Sequence, residues 1–197
     1  MIKNLIFDMG NVLLDYDPDV ILEETCDEDE EKKIIKRELF SGTEWMMGDR
    51  GDITNAERYN LVKKRVPEKL YDKLRKCVDH WDVCMVPVEG AREFLEYARE
   101  KGYGMYILSN AAIEFYQYFP RQFDLDFFDG IVVSAEQHLL KPEIGIYRYL
   151  LETYQLKPEE CLFIDDREEN VKGAEKAGIK GYVFKGDFDK VKEELEK

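Results

Sequence analysis

The sequence is short of cysteine, histidine and basic charge. Four cysteines in 197 residues (Cys26, Cys77, Cys84 and Cys161) form no CxxC pair, and a chain of this length needs no disulfide staples. They read as reduced thiols, so a cytoplasmic protein is expected. The two histidines, His80 and His138, stand far apart with no carboxylate motif around them, and partly buried structural side chains are expected there. Lys and Arg number 29 against 43 Asp and Glu, a net charge of −14. With no overall basic surface to neutralise a phosphate backbone, nucleic acid is an unexpected partner. No stretch approaches the roughly 18 apolar residues of a membrane span, and the N-terminal run has met charge by Asp8, so neither membrane anchoring nor secretion is expected. What is present is a 44% apolar content, enough for a real core and incompatible with a disordered or fibrous chain. The length fits one large domain or a medium domain with a small insert.

The negative charge is concentrated. Between Asp15 and Glu31 there are ten acidic residues and no basic one, whereas Lys32 to Pro87 carries 13 basic against nine acidic residues. The character changes again at Val86-Pro87-Val88-Glu89-Gly90, where Pro and Gly punctuate the chain. These shifts mark residues 15–87 as an insert into a unit formed by residues 1–14 and 88–197. The insert lacks strand signals and carries Leu70, Leu74, Cys77, Val78 and Trp81 at helical spacing. It reads as a small α-helical cap, the alternative being a helix pair that only extends the core.

Outside the insert, strand and helix patterns alternate. Leu5–Phe7, Tyr103–Leu108, Gly130–Val133, Cys161–Ile164 and Lys180–Phe184 are apolar runs with the shape of buried strands. Between them, Ala91, Phe94, Leu95 and Ala98 share one helix face that Gly102 closes, and Tyr147, Leu150, Leu151 and Tyr154 share another. A short helix ends at Ala177-Gly178, and a polar one is expected over Asp187–Glu196. The pattern predicts an α/β fold, a Rossmann-like, doubly wound parallel sheet covered on both faces.

In such a sheet, ligands bind beyond the carboxyl ends of the strands. Asp8 stands there after the first strand, Ser109-Asn110 after the second and Asp165-Asp166 after the fourth, with Lys141-Pro142 opening the helix after the third. Taken singly, each is an ordinary turn, cap or surface residue. Asp165-Asp166 is the least ordinary, because adjacent carboxylates repel and need a counter-charge. Together they compose a metal and anion site whose oxygen-only ligands suit Mg²⁺.

The segments Phe7-Asp8-Met9-Gly10-Asn11-Val12, Ile107-Leu108-Ser109-Asn110, Lys141-Pro142-Glu143 and Phe163-Ile164-Asp165-Asp166-Arg167-Glu168-Glu169-Asn170 resemble, in order, the four motifs of the haloacid dehalogenase-like hydrolases. The resemblance covers essentially the whole chain and places a helical cap where the insert lies. The opening motif and Arg50-Gly51-Asp52-Ile53 are similar to the bacterial sugar-phosphatase branch that includes α-D-glucose-1-phosphate phosphatase. The resemblance implies a phosphatase acting on a small phosphorylated metabolite, a sugar phosphate; a monomer or homodimer is expected. It implies Asp8 as the nucleophile that forms an aspartyl-phosphate. Ser109 and Asn110 would hold the phosphoryl oxygens, and Lys141 would offset charge on nucleophile and phosphate. Mg²⁺ would be bound by Asp8, the carbonyl of Gly10, and Asp166, with Asp165 beside it.

One departure stands out. Most family phosphatases carry a second Asp two positions after the nucleophile, as general acid and base, and this chain has Gly10. Asp15, Asp17 or a cap side chain would have to substitute, or water suffice for a leaving group of low basicity such as an anomeric sugar hydroxyl. Two rival readings follow: a non-catalytic sensor of phosphorylated metabolites, and a metal-free 2-haloacid dehalogenase, which the Asp165-Asp166 pair disfavours. In the insert, Trp45, Met46 and Met47 would line a pocket or pack a core, and Arg50 would touch substrate or solvent.

Overall fold

The computed structural model describes residues 1–196. Five strands, β1 (Asn4–Phe7), β2 (Gly104–Ser109), β3 (Gly130–Val133), β4 (Cys161–Asp165) and β5 (Lys180–Val183), form one sheet in the order β3-β2-β1-β4-β5. Every pairing is parallel, as the long crossovers require. The strand order reverses at β1, whose Phe7 lies opposite both Ile107 of β2 and Ile164 of β4. The residues that follow Phe7, Leu108 and Ile164 therefore emerge together at the switch point, where an open parallel sheet leaves a crevice.

Period-two alternation sends neighbouring side chains to opposite faces. Leu5, Phe7, Ile107 and Ile164 pack on one side against α6 (Ala91–Glu100) and α11 (Phe188–Leu195). Ile6, Leu108 and Phe163 pack on the other against α9 (Ile144–Thr153) and against Ala174 of α10 (Glu168–Lys176). Both faces are thus covered, which is why the strands are apolar throughout. Gly102, at φ +79°, turns the chain at the end of α6 as its position predicts. Tyr154 falls just past the end of α9, and its hydroxyl accepts from the Ile131 N–H (2.9 Å) and donates to the Ile131 carbonyl (3.0 Å). That pairs backbone groups of edge strand β3 that a sixth strand would otherwise claim.

Between β1 and α6 the chain is helical: α1 (Asp19–Thr25), α2 (Asp29–Ile35), α3 (Thr43–Asp49), α4 (Asn55–Val62) and α5 (Tyr71–His80). Thr54 and Glu57 close a capping box at the start of α4. A π turn over Lys36–Phe40 continues α2 and delivers Phe40 and Ser41 to the cavity described below. The two segments joining this helical unit to the sheet run side by side. Asp15 N–H donates to the Val86 carbonyl (2.8 Å) and Val88 N–H to the Leu13 carbonyl (3.0 Å), with Leu14 bridging Pro87 in antiparallel sense. Ile21, Leu22, Leu70, Leu74, Cys77 and Val78 form an apolar interior continuous with the α6 side of the sheet.

Inside this unit Arg58 is almost completely enclosed, at 1% exposure. Its guanidinium lies 4.5 Å from the Trp45 ring centre and donates to Asn55 Oδ1 (2.7 Å) and the Glu44 carbonyl (3.3 Å). It fits because position 48 is glycine: a Cβ there would stand 1.7 Å from an Arg58 nitrogen. Gly48→Ala is expected to cost about 1–3 kcal/mol of stability by forcing Arg58 aside, read from the denaturant midpoint at unchanged slope. An unchanged midpoint would show that Arg58 has room to move.

The two histidines differ from expectation. Both are exposed: His80 ends α5 on its outer face, and His138 follows α8 (Ser134–Gln137) in the left-handed region at φ +54°, with Asp52 3.9 Å from its Nδ1. Each sits at a helix end, where a side chain is held out from the packed layers.

Candidate active site

Each predicted residue at the strand ends reaches the switch point. Asp8 leaves β1 with its N–H on the Ile164 carbonyl (2.8 Å), so β4 fixes its backbone. The chain then curls tightly: Leu13 and Leu14 N–H both donate to the Met9 carbonyl (2.9 Å each), and Asn11 occupies the left-handed region at φ 55°. This is a conformation that Asn tolerates better than most residues. Asn11 Nδ2 donates to Asp166 Oδ2 (3.0 Å), tying the curl to the end of β4.

Lys141 is the centre of the charge arrangement. Its Nζ lies 2.7 Å from Asp8 Oδ1 and 2.8 Å from Asp165 Oδ2, and all three residues are buried. Burial works against the lysine's charge, but Asp165 and Asp8 outweigh it and hold the ammonium above the ordinary lysine range. Asp8 shows the opposite balance. Burial pushes its carboxyl up to about 7 although Lys141 pulls it down, and Asp165 and Asp166 add to the rise. One lysine is too little cation for three neighbouring carboxylates. Oxygen atoms of Asp8, Asp165 and Asp166 lie within 4.8 Å of one another, an oxygen-only set of the kind a hard divalent cation takes.

The four residues do not contribute alike. Asp165 is fully enclosed and its oxygens accept from Lys141 Nζ, from the Arg167 N–H (2.8 Å) and twice from Asn170 Nδ2 (3.0 Å each). It is saturated with donors, whereas Asp166 is only half-buried and faces the cavity. The Lys141 loop is held in turn by Asn110, whose side chain accepts from the Lys141 N–H (2.8 Å) and donates to the Lys141 carbonyl (2.9 Å). Ser109 is wholly buried and its Oγ has no hydrogen-bond partner among the described residues. A buried, unpaired hydroxyl is costly, and an acceptor oxygen delivered by a ligand would satisfy it.

Above the carboxylates is a cavity of about 510 Å³. Asp8, Gly10, Asn110, Lys141 and Asp166 form its polar floor, and Tyr16, Phe40, Trp45, Trp81 and Tyr118 line it as well. Trp81 stacks edge-on against Trp45, Tyr16 and Tyr118 at centroid separations of 5.1, 5.9 and 5.2 Å, so helical insert and sheet meet through rings. Of the cap candidates, Trp45 and Met46 line the cavity and Met47 does not. Arg50 does not line it either: its Nη2 pairs with Glu143 Oε1 at 2.6 Å, joining α3 to the Lys141 loop. Asp15 and Asp17 are exposed outside the cavity, with Asp17 Oδ1 accepting from the Asp19 N–H. Sequence reasoning passed over Tyr16, Asp49, Arg58 and Tyr118, all of them on the cavity wall. For Tyr16, Asp49 and Arg58 the available signal was the crowding of aromatic and charged residues in an otherwise short-helix insert; Tyr118 lies outside it, after β2.

The sequence pattern of the haloacid dehalogenase-like hydrolases matches residues 2–178. The chain belongs to this family. It is 27% identical over 183 residues to the sesquiterpene phosphatase of Aspergillus oryzae, covering 91% of this chain and 88% of that protein. It is 26% identical over 188 residues to the drimenol cyclase of Aspergillus calidoustus, covering 93% of this chain but 34% of that longer one. A HAD family enzyme from Bacteroides thetaiotaomicron, solved in complex with magnesium and inorganic phosphate, superposes with a TM-score of 0.75 at 27% identity over 97% of this chain and 99% of its own. The chain is an enzyme of this hydrolase family, with phosphatases among its relatives. Among the described residues no helix is long and apolar enough to cross a membrane.

Proposed function

We propose that this hydrolase is a Mg²⁺-dependent phosphatase that cleaves a small phosphate monoester through an aspartyl-phosphate on Asp8, with residues 15–87 acting as a cap over a catalytic core of residues 1–14 and 88–197. The observation that carries this reading is the buried Lys141 bridge between Asp8 and Asp165 beside Asp166. Both the Lys141 ammonium and the Met9 N–H (2.7 Å) fall on Asp8 Oδ1. They orient the carboxylate and leave Oδ2 to attack phosphorus. The Ser109 hydroxyl and the Asn110 backbone hold phosphoryl oxygens, and Lys141 offsets their charge. Asp8, the Gly10 carbonyl and Asp166 would hold Mg²⁺, with Asp165 steadying Lys141 beside them. When bound, the cation lets a dianionic ester approach three carboxylates and stabilises charge on the transferring phosphoryl group.

For the alcohol, a sugar phosphate, glucose-1-phosphate among them, follows from the likeness to the sugar-phosphatase branch. A second reading is favoured by the ring-lined wall: an ester of an apolar alcohol, the kind named in the sesquiterpene phosphatase relative. Turnover of p-nitrophenyl phosphate in Mg²⁺ is expected to fall to background with EDTA and return with added Mg²⁺. Turnover that survives chelation would overturn the metal-dependent reading, and halide release from a 2-haloacid without added metal would favour the dehalogenase-like alternative. No turnover under any condition would favour the sensor. Glucose-1-phosphate, glucose-6-phosphate and farnesyl monophosphate then rank the alcohols by kcat/KM, a preference for the 6-phosphate counting against an anomeric leaving group. The four buried, free cysteines support a reducing compartment such as the cytoplasm.

A further inference from the structure

The phosphatase reading leaves a proton unassigned, because position 10 has no side chain to protonate the departing alcohol. Asp8, Asp49 and Asp166 are the carboxylates that line the cavity among the described residues. Asp8 is the nucleophile and Asp166 a metal ligand in the reading above, which leaves Asp49, at the end of α3. We propose that Asp49, reaching in from the helical insert, is the general acid and base of the reaction. This rests on the phosphatase reading above.

Three features place it for that task. First, its backbone is anchored to the core: Ser134 Oγ donates to the Asp49 carbonyl (2.5 Å) and accepts from the Ala111 N–H (2.9 Å). The end of α3 is thus tied to the Ser109-Asn110-Ala111 loop on which the phosphoryl group would rest. Second, a Cβ on Gly10 would meet nothing within 4 Å, so the space the missing side chain would fill is open to the same cavity. Third, Asp49 sits in surroundings that keep a proton available. Burial pushes its carboxyl up to about 7; Arg58 and the Ala112 N–H pull it down, and Glu114 and Asp8 push it up. Tyr16 and Tyr118, which also line this wall, are themselves held protonated by burial. Near neutral pH both forms of Asp49 are populated, the condition for a group that must give and then take a proton.

The steps balance. Asp8 Oδ2 bonds to phosphorus as the ester P–O bond breaks, and the Asp49 carboxylic acid gives its proton to the departing alkoxide oxygen. Water then attacks the aspartyl-phosphate, its proton passing to the Asp49 carboxylate as the Asp8 O–P bond breaks and phosphate leaves.

The test is the dependence of Asp49→Asn on the leaving group. An alkyl phosphate needs a proton to leave, and its kcat is expected to fall ~10²-fold or more. p-Nitrophenolate leaves without one, so its release in a single turnover is expected to drop by less than about tenfold, which also reports that the variant is folded, whereas steady-state turnover of either ester falls with the loss of the base. The fall in alkyl-phosphate rate on raising the pH past about 7 in the parent, where Asp49 loses its proton, is expected to vanish in the variant. Gly10→Asp added to Asp49→Asn is expected to restore the alkyl ester. Equal losses in the single-turnover release of the two alcohols, or none, would overturn the assignment, as would a double variant no better than the single. If the parent hydrolyses neither ester in Mg²⁺, the phosphatase reading itself falls and this inference with it.

Discussion

Asp8→Asn is expected to lower kcat for every phosphate ester by ~10³-fold or more, about 4 kcal/mol of transition-state stabilisation, while leaving a folded and more stable protein. The two effects have one origin. Asn keeps an oxygen where Oδ1 accepts from Lys141 and the Met9 N–H, so the local bonds survive. It puts an amide where Oδ2 would attack phosphorus, and an amide does not form the acyl phosphate. It also deletes a carboxyl that burial has pushed up to about 7, next to Asp165 and Asp166. Removing that charge relieves repulsion at neutral pH. Denaturant unfolding in EDTA is expected to show a midpoint at or above the parent's, and release of p-nitrophenol should fall to background. Residual turnover above one part in ~10³ would show that Asp8 is not the covalent nucleophile.

Lys141→Met should move stability the other way. Lys141 is 4% exposed and serves Asp8 and Asp165, at 8% and 0% exposure. Methionine fills much the same volume but leaves two buried carboxylates without their cation, and breaking a buried ion pair from one side costs about 3–5 kcal/mol. The loss is expected in full in EDTA. Mg²⁺ bound by the same carboxylates should recover part of it, since a ligand that binds only the folded state stabilises by mass action. Activity should fall with or without the metal, because the lysine also offsets charge on the phosphoryl group. An Asp8→Asn, Lys141→Met double variant is expected to lose less stability than Lys141→Met alone, which separates charge imbalance from lost packing. If the lysine variant melts where the parent does, the bridge is not what holds these carboxylates in place.

The sheet and its functional ends were legible because each depends on short stretches of chain. Gly130–Val133 is an apolar run between polar neighbours and becomes β3 with those bounds. Asp8, Ser109, Asp165 and Asp166 follow such runs and converge through parallel register alone. Lys141 lies in a loop instead of opening a helix, three residues before α9 begins at Ile144, but it still arrives at the carboxylates. Asp49 and Arg58 were not legible. Their position depends on how the insert packs on the sheet, through Trp81 against Tyr118 and Ser134 against the Asp49 carbonyl, contacts between residues far apart in sequence with no periodicity to announce them. For the same reason Asp15 and Asp17, near Asp8 in sequence, proved distant from its chemistry, and Arg50 found Glu143 instead of the cavity.

The side-by-side joining of Leu13–Asp15 to Val86–Val88 also bears on how the chain reaches its native state. β1 and β2 are neighbours, yet five helices and their connections lie between them in sequence, a separation that ordinarily makes strand pairing slow. Most of those helices touch helices near them in the chain, as α1 does α2, α3 does α4 and α4 does α5. Once their joining segments have zipped together, the loop that β1 and β2 must still close is little more than α6. Closing on itself first, the insert thus offsets most of the loop-closure cost that its own length imposes, an entropic consequence distinct from anything it does for a bound ester.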